Sequence, residues 1–257
     1  QVGRILLASE TASSVTPAMP FDVCGAMSQG YIGYHIQQAL RFELMKKKRD
    51  FPVVTIVTQV MVDKDDRAFQ HPTKPIGPFY TEDEAREISK EKGYQMAEDS
   101  GRGWRRVVPS PKPVEIVEIN SIKKLMESAI VITVGGGGIP VIEDADGSLR
   151  GIAAVIDKDL AAEKLAEDIG ADVLVILTEV EQVAINFNKP NQKNLESITV
   201  AEAERFIEEG HFAPGSMLPK MEAAIAFAKS APGRKTIITS LYKVLDALEG
   251  KAGTVVI

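Results

Sequence analysis

Two lysines stand where the sequence predicts helices to begin. Lys220 closes the segment Gly215–Pro219, a loop predicted to become a helix near Ser216, and Lys158 precedes an alanine-rich helix predicted from Leu160. A cation in the first turn of a helix opposes the macrodipole, so these positions favour a bound anion. Backbone N–H groups, a glycine and an ammonium at one helix start are typical of a polyphosphate site. A lysine on the surface of an amphipathic helix is the alternative interpretation.

A run of glycines provides a second candidate ligand loop. The apolar strand predicted over Ala129–Val134 leads directly into Gly135-Gly136-Gly137-Gly138-Ile139-Pro140. Glycines after a parallel strand allow a ligand to approach backbone N–H groups closely. The run matches neither the dinucleotide fingerprint G-x-G-x-x-G nor the Walker A loop. A tight turn without a ligand is the alternative.

These residues favour phosphoryl transfer over acid–base or nucleophilic chemistry. Cys24 is the single cysteine and the three histidines are scattered, so no Ser/His/Asp set, Cys/His set or zinc site is predicted. Lysines can neutralise a transferring phosphoryl group without an acid–base pair, and Asp159, predicted to be the N-cap, could hold them. Since no dense carboxylate cluster is present, Mg²⁺ arriving with ATP would be held mostly by phosphates and water.

The elements that must position these residues alternate along the chain. Buried strands are predicted at 52–58, 129–134, 172–178 and 236–239, with helices at 23–48, 119–127, 160–169 and 199–209. Thr81 with Glu84, and Thr199 with Glu202, have the spacing of capping boxes. A hairpin is predicted around Asp144-Ala145-Asp146-Gly147. The fold class is therefore α/β with a mainly parallel sheet.

Composition changes over residues 63–113, which are charged, rich in proline and poor in long apolar runs. We interpret this segment as a subdomain inserted into the α/β core; a long solvated loop with one helix is the alternative.

Composition excludes several classes of function. The chain has 257 residues, 44% of them hydrophobic, and a net charge of −6, so it can bury a full core and has no general attraction for nucleic acid or anionic membranes. No apolar run has the length of a membrane span and no signal peptide opens the chain. A cytoplasmic protein that binds neither nucleic acid nor membrane is the expectation.

The motifs together resemble the carbamate kinases of the amino acid kinase superfamily. The resemblance spans nearly the whole chain in the family's order. Its segments are Pro17–Asp22, Pro72–Phe79, Gly101–Arg105, Val108–Pro113, Gly135–Pro140, Val155–Asp159 and His211–Lys220.

The resemblance implies a three-layer αβα sandwich with a small protruding subdomain, a homodimer, and the reaction ATP + carbamate ⇌ ADP + carbamoyl phosphate, run towards ATP in arginine fermentation. It implies a carbamate-binding lobe over residues 1–150, which contains the protruding subdomain 63–113, and a nucleotide-binding lobe over 151–257.

The resemblance also implies roles for individual residues. Lys220 and Lys158 would neutralise the transferring phosphoryl group, Asp159 would organise them, and Lys74 would reach in from the subdomain. Gly136 and Gly137 would offer backbone N–H groups to carbamate. Besides Lys158 and Lys220, the implied nucleotide-binding residues are Thr178, Glu179, Val180, Phe187, Lys189, Pro190, Gly215, Ser216 and Met217. Phe187 stands where many family members carry tyrosine, so ring stacking is expected without the hydroxyl contact.

Family members begin with a strand that carries a lysine and a Gly-Gly-Asn loop, followed later by His-Gly-Asn-Gly-Pro immediately before Gln-Val-Gly. This sequence opens at Gln1-Val2-Gly3. We therefore expect the natural protein to begin earlier and the 257-residue chain alone to have little activity. Two other functions stay open: an acylphosphate-forming kinase acting on an amino acid carboxylate, and an inactive relative that serves as a nucleotide-binding or regulatory subunit.

Overall fold

The computed structural model describes residues 1–99 and 101–257, which form two compact units, Gln1–Ala161 and Ala162–Ile257. The helices of the described residues are α1 (Val2–Thr11), α2 (Phe21–Lys46), α3 (Glu82–Lys92), α4 (Ile119–Met126), α5 (Lys158–Asp168), α6 (Val200–Glu208), α7 (Met217–Ser230) and α8 (Val244–Leu248). The strands are β1 (Val53–Thr55), β2 (Gln59–Val62), β3 (Lys74–Tyr80), β4 (Met96–Glu98), β5 (Trp104–Val108), β6 (Pro113–Ile116), β7 (Ile130–Ile132), β8 (Ile139–Glu143), β9 (Leu149–Gly151), β10 (Val173–Thr178), β11 (Ala184–Ile185), β12 (Lys193–Asn194), β13 (Ser197–Ile198), β14 (Lys235–Ser240) and β15 (Thr254–Val256). None of the helices in these residues is long and apolar enough to cross a membrane.

Parallel strand pairs carry the glycine run in the first unit. Strand β1 pairs with β7 in parallel, and β2 pairs with β8 in parallel, so the run lies between the end of β7 and the start of β8. The single strand predicted over 52–58 is wrong in extent, because the chain forms β1 and β2 with a break between them. At the break, the Thr58 N–H donates to the Gln29 side chain at 2.8 Å, so a helix side chain takes the place of a neighbouring strand.

The segment 63–113 forms a separate small sheet. The chain leaves the larger sheet at Val62 and returns at Pro113 in β6, which runs antiparallel to β2. In the small sheet, β5 lies between β3 and β4 and is antiparallel to both. Helix α3 begins with the predicted Thr81–Glu84 capping box and ends at Gly93, whose φ of 65° is left-handed. Strand β3 begins at Lys74, so this sheet positions the predicted substrate lysine.

A cluster of buried apolar side chains anchors the small sheet against α1 and α2. Its members are Leu6, Cys24, Ile76 and Val108. Gly3 on α1 approaches β3 so closely that a methyl group there would clash with the backbone of Gly77. Cys24 is fully buried, and burial raises the pKa of its thiol, so it fills space in this cluster and is not an activated nucleophile.

The second unit is built on the sheet order β10-β14-β15-β13. Strands β10 and β14 are parallel from Val173 opposite Lys235 to Thr178 opposite Ser240. Helix α7 packs on this pair through buried small and aromatic side chains, among them Ala223, Ala224 and Phe227 at 0% exposure. Helix α6 begins with the predicted Thr199–Glu202 capping box. The α/β class predicted from sequence is thus confirmed.

Candidate active site

A cavity of about 480 Å³ opens beside the glycine run in the first unit. Apolar side chains form much of its wall, including Ile32 of α2, Ile56 immediately after β1, and Ile132 of β7. Two cations also line it, Lys74 and Arg105. An apolar wall with a few convergent polar groups is the usual composition of a small-molecule site.

The glycine run is folded in a way that other residues would not tolerate. Gly136, Gly137 and Gly138 all have positive φ, at 67°, 105° and 83°. A methyl group at Gly137 would clash with the carbonyl oxygen of Ile156, whereas one at Gly136 would meet nothing within 4 Å. Gly136 lines the cavity. The run therefore combines close packing on one side with an open approach for a ligand on the other.

A buried polar network holds the start of this loop. The Gln29 side chain accepts from the Thr58 N–H and donates to the Thr58 carbonyl at 3.0 Å, and the Thr58 hydroxyl lies 2.6 Å from that of Thr133. The same Thr58 hydroxyl accepts from the Val134 N–H at 3.0 Å. Val134 has φ of 53°, a strained conformation for a β-branched residue. Sequence reasoning missed Gln29 and Thr58, since each resembles an ordinary polar residue of its element.

The two glycines predicted to contact carbamate have different surroundings. The Gly137 N–H donates to the Val134 carbonyl at 3.1 Å and that residue is buried. Gly136 lies at the cavity surface. Gly136 is therefore the glycine that a ligand in the cavity can approach, and Gly137 supports it by packing against Ile156.

Lys74 meets an acid that sequence reasoning had not selected. Its Nζ lies 2.6 Å from Oδ2 of Asp157, whose side chain is only 9% exposed. Burial acts to raise the pKa of Asp157, but the Lys74 ammonium and the Asp159 N–H outweigh it and hold this pKa below the usual aspartate value. Asp157 is therefore a carboxylate in the folded protein.

The predicted N-cap of the Lys158 helix is wrong by two residues. Helix α5 begins at Lys158, and Oδ1 of Asp157 accepts the Asp159 N–H at 2.9 Å, which is the N-cap arrangement. Asp159 instead lies in the first turn, where its negative charge suits the helix dipole. Either aspartate could have capped the helix on local grounds; the ion pair with Lys74 favours Asp157.

The structure does bring Lys158 and Asp159 together. Lys158 Nζ lies 3.3 Å from Asp159 Oδ2, with side-chain exposures of 63% and 9%. A buried carboxylate thus lies beside a largely exposed ammonium at the start of α5.

In the second unit, Lys220 is the fourth residue of α7 and only 7% exposed. Ser216 occupies the N-cap position without a side-chain capping hydrogen bond, and the Leu218 N–H donates instead to the Ala213 carbonyl of the preceding turn at 3.0 Å. Gly215 and Ser216 are exposed and Met217 is half-buried. A desolvated ammonium in a first turn, next to an exposed loop, suits an anionic ligand.

The other predicted nucleotide residues lie on two connections of this unit. Thr178 ends β10, and Glu179 and Val180 follow it. Phe187, Lys189 and Pro190 lie on the connection of the hairpin β11–β12, where Phe187 is 53% exposed. Ligands of α/β proteins collect at the carboxyl ends of parallel strands, which is where Thr178 stands.

Each unit by itself holds parts that phosphoryl transfer needs. The first unit has the glycine loop and the Lys158 ammonium beside the Asp159 carboxylate, and the second unit has the buried Lys220 ammonium at a helix start. The amino acid kinase family model matches residues 38–240. The chain therefore belongs to the amino acid kinase family.

Individual relatives narrow this assignment. The chain is 56% identical to a carbamate kinase of Clostridium perfringens, covering 100% of this chain and 83% of that protein. It is also 56% identical to the carbamate kinase-like protein YqeA of Escherichia coli, with coverages of 100% and 83%. The structure of carbamate kinase from Giardia lamblia bound to AMP-PNP superimposes with a TM-score of 0.91 at 48% identity, covering 100% of this chain and 81% of that chain. Within the family, the chain belongs with the carbamate kinases.

Proposed function

We propose that this protein catalyses reversible phosphoryl transfer between ATP and carbamate, giving ADP and carbamoyl phosphate. The observation that carries the proposal is the 56% identity to a carbamate kinase over the whole of this chain. The glycine loop, the cavity and the helix-start lysines provide the matching chemistry.

In the proposed reaction, a carbamate oxygen attacks the γ-phosphorus of ATP and the bond to the bridging oxygen of the β-phosphate breaks. Negative charge spreads over the three remaining phosphoryl oxygens, so positioning and neutralisation dominate catalysis. We assign Lys158 and Lys220 to neutralise that charge and Asp159 to orient Lys158. Lys74 and the backbone of Gly136 are assigned to carbamate, and Gly137, whose N–H is bonded to the Val134 carbonyl, is assigned to support Gly136.

The nucleotide is assigned to the second unit. The exposed ring of Phe187 would stack on the adenine, with Thr178, Glu179, Val180, Lys189 and Pro190 around it. The loop of Gly215, Ser216 and Met217 leads the phosphates to Lys220. No cluster of three or more potential metal ligands occurs among residues 1–99 and 101–257, so we assign Mg²⁺ to the nucleotide's phosphates and water.

The finer parts of the proposal follow the resemblance. Residues 1–150, with the subdomain 63–113, form the carbamate-binding lobe and residues 151–257 the nucleotide-binding lobe. The protein acts as a cytoplasmic homodimer and runs the reaction towards ATP during arginine breakdown.

ATP formation from ADP and carbamoyl phosphate, measured by a luciferase assay on the purified full-length protein, tests the proposal. We expect turnover that needs Mg²⁺, with acetyl phosphate and acyl phosphates of amino acids as poor substitutes. Lys220→Ala should reduce kcat by at least about 100-fold, because it removes one of the neutralising charges. Lys46→Ala is the matched control, since that lysine is exposed and pairs with Glu43.

An inactive nucleotide-binding relative is the second candidate, because the chain is as similar to a carbamate kinase-like protein as to a carbamate kinase. Binding of ADP in calorimetry without any turnover would favour it. Turnover with an amino acid acyl phosphate, and none with carbamoyl phosphate, would instead assign a different acylphosphate-forming kinase.

A further inference from the structure

We infer that Asp157 is a positioning residue that holds the Lys74 ammonium at the start of α5 for the phosphoryl-transfer step. The inference rests on the proposed function and adds to it a role for a residue to which the resemblance, although it includes the segment Val155–Asp159, assigned none. Asp157 acts through Lys74 and does not itself contact substrate.

The first argument is the geometry of the ion pair. Lys74 belongs to the small sheet, where its backbone is in register with Val108, and Asp157 lies 83 residues later in the chain. Their 2.6 Å contact joins a one-third-exposed ammonium to a nearly buried carboxylate. A lysine side chain has four flexible carbon–carbon bonds, so a fixed charged partner restricts where its ammonium can be.

The second argument is that the two oxygens of Asp157 serve different elements. Oδ2 holds Lys74, while Oδ1 accepts the Asp159 N–H and the Asp157 carbonyl accepts the Ala161 N–H at 3.0 Å. The preceding residue, Ile156, is the one against which Gly137 packs. A single residue thus links the subdomain lysine, the glycine loop and the first turn of α5.

The third argument is that the neighbouring charges have other partners. Arg105, the second cation lining the cavity, donates to Asp99 and to the Gly77 carbonyl at 3.0 and 3.1 Å. Lys158 pairs with Asp159. The acid that fixes Lys74 is therefore Asp157. Without the Asp157 carboxylate, the Lys74 ammonium could occupy many positions within the reach of the lysine side chain.

The test separates the charge of Asp157, which holds Lys74, from its oxygen that caps α5. Asp157→Asn keeps an oxygen for the helix cap but removes the charge that holds Lys74. We expect kcat/KM for carbamoyl phosphate to fall at least tenfold while the KM for ADP changes less than twofold, because a misplaced group costs rate even without lost binding. Asp157→Ser, which also caps helices but cannot reach Lys74, provides the same comparison if the asparagine variant fails to fold. Asp144→Asn is the matched control, since that aspartate pairs with Arg150 on the hairpin instead.

A double-mutant cycle shows whether Asp157 acts through Lys74. In the Lys74→Ala background, adding Asp157→Asn should reduce kcat/KM by less than twofold, because the lysine to be positioned is already gone. If the two losses multiply, Asp157 has a merely structural role and the inference is overturned. Full activity of Asp157→Asn overturns it too. If the unsubstituted protein forms no ATP from carbamoyl phosphate, the proposed function fails and the inference falls with it; if it is active, only the variants decide.

Discussion

Substituting Gly137 by alanine should destabilise the protein far more than the same change at Gly136. The two glycines are adjacent, and both have positive φ, at 105° and 67°. A methyl group at Gly137 would lie 3.0 Å from the Ile156 carbonyl carbon and closer still to its oxygen, whereas one at Gly136 meets open space. Comparing the two substitutions therefore separates the free-energy cost of a clash with the backbone from the cost of alanine in a left-handed conformation.

The magnitudes follow from these two geometries. At Gly136, φ of 67° and ψ of 7° lie in the left-handed helical region, which costs an L-residue about 1–2 kcal/mol. Alanine also restricts the unfolded chain, which stabilises the folded state by about 0.4–1 kcal/mol, so the net loss of folding free energy is roughly 1 kcal/mol. At Gly137, the more strained φ costs about 1–3 kcal/mol and the clash with backbone a further ~1–3 kcal/mol. The net loss there is roughly 2–5 kcal/mol.

Thermal unfolding followed by circular dichroism measures both losses. At about 2–4 °C per kcal/mol for a chain of this size, Gly136→Ala should lower Tm by a few degrees and Gly137→Ala by roughly 4–20 °C. Gly136→Ala should nevertheless raise the KM for carbamoyl phosphate, because its methyl group enters the cavity. Equal Tm values for the two variants would refute the packing argument, and an unchanged KM for Gly136→Ala would refute its assignment to substrate.

Two further predictions concern stability away from the glycine loop. Thr199→Ala removes the oxygen that accepts the Glu202 N–H in the capping box of α6, so urea unfolding should show a loss of about 1 kcal/mol, and no loss would mean that the box contributes nothing. Burial, aided by the nearby Glu167, raises the pKa of Glu163 from 4.5 to about 7. Because the folded protein then holds a proton that the unfolded chain releases, the free energy of unfolding should fall as pH rises from 4.5 through 7. Glu163→Gln should reduce this fall by on the order of 3 kcal/mol between pH 5 and 8. Parallel stability curves for the variant and the unsubstituted protein would contradict the assignment.

Local hydrogen bonds explain why some of the structure could be predicted from sequence. The capping boxes at Thr81 and Thr199 each close within four residues, so residue type and spacing suffice to predict them. The same holds for the glycine run, since only glycine readily adopts several successive positive φ values. Helix and strand alternation likewise depends on short-range periodicity.

The errors arose where distant residues compete with local ones. Asp157 and Asp159 are both suitable caps, and the selection of Asp157 accompanies an ion pair with Lys74, 83 residues away. Gln29 resembles any polar residue on a helix until α2 packs beside Thr58, 29 residues later, and its amide bonds to that backbone. Neither partner can be identified from a sequence window.

The sequence by itself determined the α/β class, the inserted segment and the residue types that suit phosphate chemistry, because these depend on composition and short-range pattern. Only the tertiary structure decided which charges meet, because an ion pair needs two side chains within a few ångströms regardless of their separation in the chain. The Lys74–Asp157 pair, which joins the small sheet to the start of α5, is the clearest instance.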